Sequence, residues 1–74
     1  MKPTIGRIVI YESTPNEFSG GNDMGGPVPA MIVRVWSDDC VNLKVFTDGP
    51  TCEWRTSILR GALIGQWRWP EIET

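Results

Sequence analysis

The stretch Ala30-Met31-Ile32-Val33-Arg34-Val35-Trp36-Ser37-Asp38-Asp39-Cys40-Val41-Asn42-Leu43-Lys44-Val45-Phe46-Thr47 decides the fold class. Two runs rich in β-branched residues, each with apolar positions recurring at every second residue, flank a short polar break. In the first run Met31, Val33 and Val35 fall on one side and Ile32, Arg34 and Trp36 on the other. In the second, Val41, Leu43 and Val45 point inward while Asn42, Lys44 and Phe46 point outward. A side-chain period of two belongs to strands, so residues 30–36 and 40–47 read as strands joined by a tight turn at Ser37-Asp38-Asp39.

Upstream, residues 5–11 set Arg7, Val9 and Tyr11 against Ile8 and Ile10 and read as strand one, with one face apolar and the other mixed. Residues 12–29 shift to Ser, Thr, Pro, Asn, Asp and Gly and read as one long loop, of the length that is usually functional or disordered. Downstream, Asp48-Gly49-Pro50 signals a turn and residues 52–58 a fourth strand. Residues 59–65 read as a single helical turn or a loop, and a brief fifth strand carries Trp67 and Trp69 before Pro70 stops the ladder. Residues 71–74 read as a frayed acidic tail. Five short strands in this arrangement predict an all-β chain, a single domain over residues 1–74 built as a small five-stranded SH3-like barrel with a long loop after strand one. A five-stranded oligonucleotide-binding barrel competes, but usually needs more chain and a helix between its third and fourth strands.

At 74 residues only about 60% of the surface exposed by an unfolded chain is buried on folding, so stability is expected to be modest. Cys40 and Cys52 are the two cysteines and histidine is absent, which leaves no ligand set for structural zinc. Two thiols outside any disulfide framework suit a reducing cytoplasm, and both read as small core residues. The segment Met1-Lys2-Pro3-Thr4-Ile5-Gly6-Arg7 lacks the apolar core of a secretory signal, and no run approaches the ~20 apolar residues of a membrane span. The net charge of −2 disfavours non-specific binding to nucleic acid, which draws on many Lys and Arg contacts to phosphate.

Catalysis finds few parts. Without histidine the Ser and Cys nucleophiles lose their commonest activator, and no basic run lies near either thiol to lower its pKa. Asp38, Asp39 and Asp48 suggest a cation site only if they converge; aspartate at a turn bonds its own backbone and needs no ion. Gly20-Gly21 and Gly25-Gly26 belong to neither GxxxxGK[ST] nor GxGxxG and read as flexible loop. The expectation is a protein that is not an enzyme and carries neither cofactor nor metal.

The aromatic residues point elsewhere. Four tryptophans are many for so small an interior. Taken singly, Trp36 and Trp54 read as core, and Glu53 and Arg55 as a solvated face. Taken as a set, Tyr11, Trp36, Phe46, Trp67 and Trp69, interleaved with Arg7, Arg34, Lys44 and Arg68, could line one groove on a curled sheet. Rings beside guanidinium groups stack nucleobases and hold phosphate charge, and they equally dominate protein interfaces. The predicted ligand-binding residues are therefore Tyr11, Arg34, Trp36, Lys44, Phe46, Trp67, Arg68 and Trp69. The partner is expected to be a nucleotide-like small molecule or a protein, with a homodimer also possible through an edge strand.

Thr4-Ile5-Gly6-Arg7-Ile8-Val9, Pro29-Ala30, Val33-Arg34-Val35-Trp36, Val41 through Gly49 and Trp67-Arg68-Trp69-Pro70 together resemble a family of small uncharacterised proteins encoded by tailed bacteriophages and prophages. The resemblance covers most of the chain outside residues 12–28. It implies a phage accessory protein acting in the host cell cytoplasm, and supplies no activity, cofactor or catalytic residue. Small phage proteins often antagonise host defence, and the leading expectation is a non-catalytic sponge that sequesters a nucleotide immune signal. The alternative is a module that inhibits a host protein or joins a phage complex. The third, disfavoured by the acidic balance, is binding of single-stranded nucleic acid.

Overall fold

A computed structural model describes residues 2–15, 17, 25–47 and 52–70. It is all-β, with five strands: β1 (Ile8–Ser13), β2 (Gly26–Val35), β3 (Cys40–Phe46), β4 (Cys52–Leu59) and β5 (Trp67–Arg68). They form one antiparallel sheet in the order β4-β3-β2-β1-β5. The sheet does not close on itself by a ladder: past β4, one parallel bridge, Arg60 to Trp67, reaches β5. The turn Asp48-Gly49-Pro50, the tail 71–74 and residues 18–24 of the expected long loop lie outside the described residues.

One face of the sheet is dry. Val9 and Tyr11 of β1, Ala30 and Ile32 of β2, Val41, Leu43 and Val45 of β3, and Trp67 of β5 are all buried, with Val28, Val35, Ile58 and Trp69 packed against them. Burying this much apolar area, at about 25 cal/mol per Å², is the main force holding the sheet curled.

The face assignment of β1 is a correction. Ile8 and Ile10 point outward, Ile8 remaining 44% exposed, while Tyr11 is only 4% exposed. Both faces carry β-branched residues, so alternation alone does not choose between them. The register chooses: Tyr11 pairs with Val28 on one side and with Trp67 on the other, where a large ring is enclosed.

Strand β2 begins at Gly26, well before residue 30, because Pro27 and Pro29 fit a strand here. Ile32 donates its N–H to the Arg7 carbonyl at 2.9 Å and accepts from the Gly6 N–H at 2.8 Å, so even-numbered residues of this stretch face β1. Pro27 and Pro29, which have no N–H, face the other side, where the β3 ladder begins only at Ala30. Gly25 leads into this strand at φ +77, and a Cβ there would lie 2.7 Å from the Pro15 nitrogen and 2.9 Å from the Ser13 carbonyl oxygen, so only glycine fits.

Two bulges flank Asn42. The β2–β3 register shifts between Ile32 and Arg34, and the β3–β4 register between Val41 and Leu43. Ile32, which alternation sets with Arg34 and Trp36, is buried in phase with Ala30, and the first shift is why Arg34 and Trp36 leave that face for solvent. The second places Ser57 at φ +55. Asn42, expected to point outward, is 6% exposed, and its Oδ1 accepts from Ser57 N–H at 2.8 Å, Trp36 Nε1 at 2.9 Å and Thr56 Oγ1 at 3.0 Å. One carbonyl oxygen thus holds both irregular strands to the regular one between them.

Candidate functional site

The eight predicted ligand-binding residues divide among three places. Tyr11 and Trp67 are core; Trp67 is fully buried and its Nε1 donates to the Asp39 carbonyl at 3.0 Å. Trp69 meets Trp67 edge-to-face with centroids 5.2 Å apart, and the Arg7 guanidinium lies 5.7 Å from its ring. Arg68 is committed to an ion pair with Glu12. These rings are consumed because a sheet with one dry face needs large side chains to fill its concave side.

Arg34 and Trp36 remain together at the end of β2. The guanidinium sits 4.6 Å from the Trp36 ring centroid, the ring is 54% exposed, and its nitrogen is anchored on Asn42. Such a stacked pair is worth about 0.5–1 kcal/mol at an exposed site.

Lys44 and Phe46 belong to the outer face of the sheet. Register places Ile8, Met31, Lys44 and Trp54 in one row across β1, β2, β3 and β4. In the adjoining row Ile10 pairs with Pro29 and Arg68, and Phe46 with Cys52. Ile8, Phe46 and Trp54 are all exposed, Trp54 by 53%. Trp36 and Trp54, each read as core, are therefore half in solvent, and Cys52, also read as core, is an exposed free thiol; Cys40 is half-buried and free. On β4 the positions that point inward are Glu53, Arg55 and Ile58, so the outer phase is where Trp54 and Cys52 must go.

Arg55 and Glu53 do not make a solvated face. The Tyr11 hydroxyl donates to Glu17 Oε2 at 2.6 Å, and Arg55 Nε donates to the same oxygen at 2.9 Å. Glu17 Oε1 accepts from the Thr14 N–H at 2.9 Å, and Arg55 also lies 3.9 Å from Glu53. This latch ties the start of the β1–β2 connection to β4 across the mouth of the dry face. The spacing Thr14-x-x-Glu17 is the sequence signal for it, being the capping-box pattern that returns a side chain to the backbone three residues earlier.

Burial pushes the Tyr11 phenol up, and the hydrogen bond to Glu17 and its charge add to this against the opposing Arg55, so its pKa rises from 10.0 to about 12. Burial acts to raise the Glu17 carboxyl, but the bonds from Tyr11, Thr14 and Arg55 and the Arg55 charge outweigh it and hold the group below its ordinary value. The signs follow by linkage. The raised phenol contributes stability that is complete below 10 and is lost as pH rises towards about 12. The depressed carboxyl contributes stability present above its ordinary pKa and lost as pH falls through its folded value. The chain has a single tyrosine, so ultraviolet titration of the phenolate reports Tyr11 directly: the native protein is expected to titrate near pH 12 and Glu17→Gln to titrate earlier. A native midpoint at the ordinary tyrosine value would show the latch open in solution.

The Asp38–Asp39 turn behaves as a turn. Ser37 Oγ accepts from the backbone N–H groups of Asp39 and Cys40 at 3.3 and 3.1 Å, and Asp39 pairs with Arg60 at 2.8 Å. Among the described residues no group of three or more His, Cys, Asp or Glu converges to hold a metal ion, and no helix is long and apolar enough to cross a membrane. No family model, no curated protein and no solved structure matches this chain.

Proposed function

We propose that this chain is a non-catalytic binding protein that engages a protein partner through the outer face of its sheet. The observation that carries the reading is the row Ile8, Met31, Lys44 and Trp54 with Phe46 beside it: Ile8, Phe46 and Trp54 are large apolar side chains left in water on paired strands, with Met31 half-buried between them and Lys44 as the cation of the row. Contiguous exposed apolar surface of this kind marks interaction sites, and aromatic anchors carry most of the energy there. The strand order, the long β1–β2 connection and the short turn before β5 support an SH3-like barrel as the underlying architecture. The likeness to phage accessory proteins supports a host protein as the target and the host cytoplasm as the place of action.

Affinity capture from a bacterial lysate tests this reading. A host protein retained by the wild type is expected to be lost on Trp54→Ala combined with Phe46→Ala, with the melting temperature nearly unchanged because both side chains are exposed. Equal retention by that variant would refute the outer face as the recognition surface.

Sequestration of a nucleotide signal is the second reading, favoured by the Arg34 guanidinium stacked on an exposed Trp36 ring. It has less support because Tyr11 and Trp67 are enclosed and Arg68 is paired, so the rings and cations do not converge. Calorimetry against cyclic dinucleotides and cyclic ADP-ribose isomers decides it: tight binding to the folded state must raise the melting temperature, and Trp36→Ala is expected to abolish that rise.

A further inference from the structure

We infer that β4 is a self-complementary edge through which two copies of this chain pair antiparallel about a two-fold axis at Trp54, joining their sheets into one. This rests on the backbone of β4 and shares only Trp54 with the outer face proposed above.

The direction of each backbone group follows from the ladder. Met31 faces β3, since Ile32 exchanges its hydrogen bonds with Gly6 and Arg7 on the other side, and Lys44 opposite Met31 therefore faces β2. Leu43 and Val45 then face β4, where they meet Arg55 and Glu53. Cys52, Trp54 and Thr56 consequently direct their N–H and C=O groups away from β3. Among the described residues no strand lies there: β4 pairs along its length with β3 alone. The Trp54 carbonyl accepts instead from its own neighbour, Arg55 Nη1, at 2.8 Å, a substitute that an unpaired edge carbonyl takes.

The regular part of this edge is short and centred. The bulge at Ser57, with φ +55, interrupts the strand, which leaves residues 52–56, and Trp54 is their midpoint. An antiparallel copy that uses all of them must place Trp54 opposite Trp54. Cys52 then falls opposite Thr56 of the second copy as a hydrogen-bonded pair, and Glu53 falls opposite the second copy's Arg55 on the inner face. Opposite charges directly across a strand pair are favourable where like charges are not, so the sequence around the axis is complementary to itself. Trp54 meets its own copy on the outer face, where it is already half exposed. Other edges offer less: β5 has two residues.

The contact is small compared with the ~800 Å² per partner of a standard interface, so a weak, reversible dimer is expected, populated as concentration approaches the millimolar range. Sedimentation equilibrium on the purified chain tests its existence, and a monomer mass at all concentrations overturns the proposal. Trp54→Lys places like charges on the axis without touching the core and is expected to weaken association by roughly tenfold or more; unchanged association overturns it. The register is tested by Thr56→Cys in a Cys40→Ser background. Along one extended strand positions 52 and 56 are ~13 Å apart, beyond disulfide reach, whereas across the axis they are opposed at ~5.5 Å. Mild oxidation is expected to give a covalent dimer linked between Cys52 of one copy and the introduced thiol of the other. A dimer that forms without this cross-link, or that links Cys52 to Cys52, overturns the register and with it the two-fold at Trp54.

Discussion

Trp67→Ala is expected to remove most of the stability of this domain. Trp67 is the largest fully buried side chain, it packs edge-to-face on Trp69, and its Nε1 holds the Asp39 carbonyl in the turn between β2 and β3. Truncating a buried tryptophan costs about 3–5 kcal/mol. A domain of 74 residues has roughly 4–11 kcal/mol in total. The melting temperature should therefore fall by at least about 12 °C, and the variant should be partly unfolded at growth temperature. Trp67→Phe keeps most of the ring volume and loses the bond to Asp39, so a smaller loss, of about 1–2 kcal/mol, is expected. Melts followed by far-ultraviolet circular dichroism measure both. A drop of only a few degrees for Trp67→Ala would mean that β5 is dispensable to the core.

Asn42→Leu is expected to cost about 2 kcal/mol, although it replaces a buried polar residue by an apolar one of similar size. The cost arises because the Ser57 N–H is left without its acceptor; the left-handed backbone at Ser57, worth about 1–2 kcal/mol to a side-chain-bearing residue, is common to both proteins. Thr56 retains a partner in the Ser57 hydroxyl, and the half-exposed Trp36 can turn its nitrogen to water. Asn42→Asp keeps an acceptor oxygen for all three donors and is expected to lose much less. Ser57→Gly in the Asn42→Leu background should recover about 1 kcal/mol by removing the left-handed penalty. Urea titrations of the set check the assignment: if leucine and aspartate prove equally harmful, the oxygen is not what joins the two bulges.

Latch, sheet and outer face differ in how much of each is legible in the sequence. The strands around Ser37-Asp38-Asp39 are legible because alternation of β-branched residues is a local property. The ends of strands are less so: Pro27 and Pro29 read as loop residues, yet they belong to β2 because the neighbouring strand stops short of them. Which face of a strand is buried is not legible where both faces are apolar, as at Ile8 to Tyr11. The candidate groove failed as a set for a related reason. A phase along one strand does not pass intact through a bulge, and the β2–β3 register shift between Ile32 and Arg34 separates Arg34 and Trp36 from the first half of their strand. Glu17, 38 residues from Arg55, shows the limit most plainly, since its own local motif is readable while its distant partner is not.

The amino-acid sequence by itself determined that this chain is all-β, that five strands run through its described residues, and that it carries more indole than its interior can hold, because these depend on side-chain period, turn chemistry and composition. Tertiary structure alone decided which rings face water. Trp67 was drawn inside and Trp54 left outside by the pairing of strands distant in the chain, and such pairing is set by the total fit of one face, which no single segment contains.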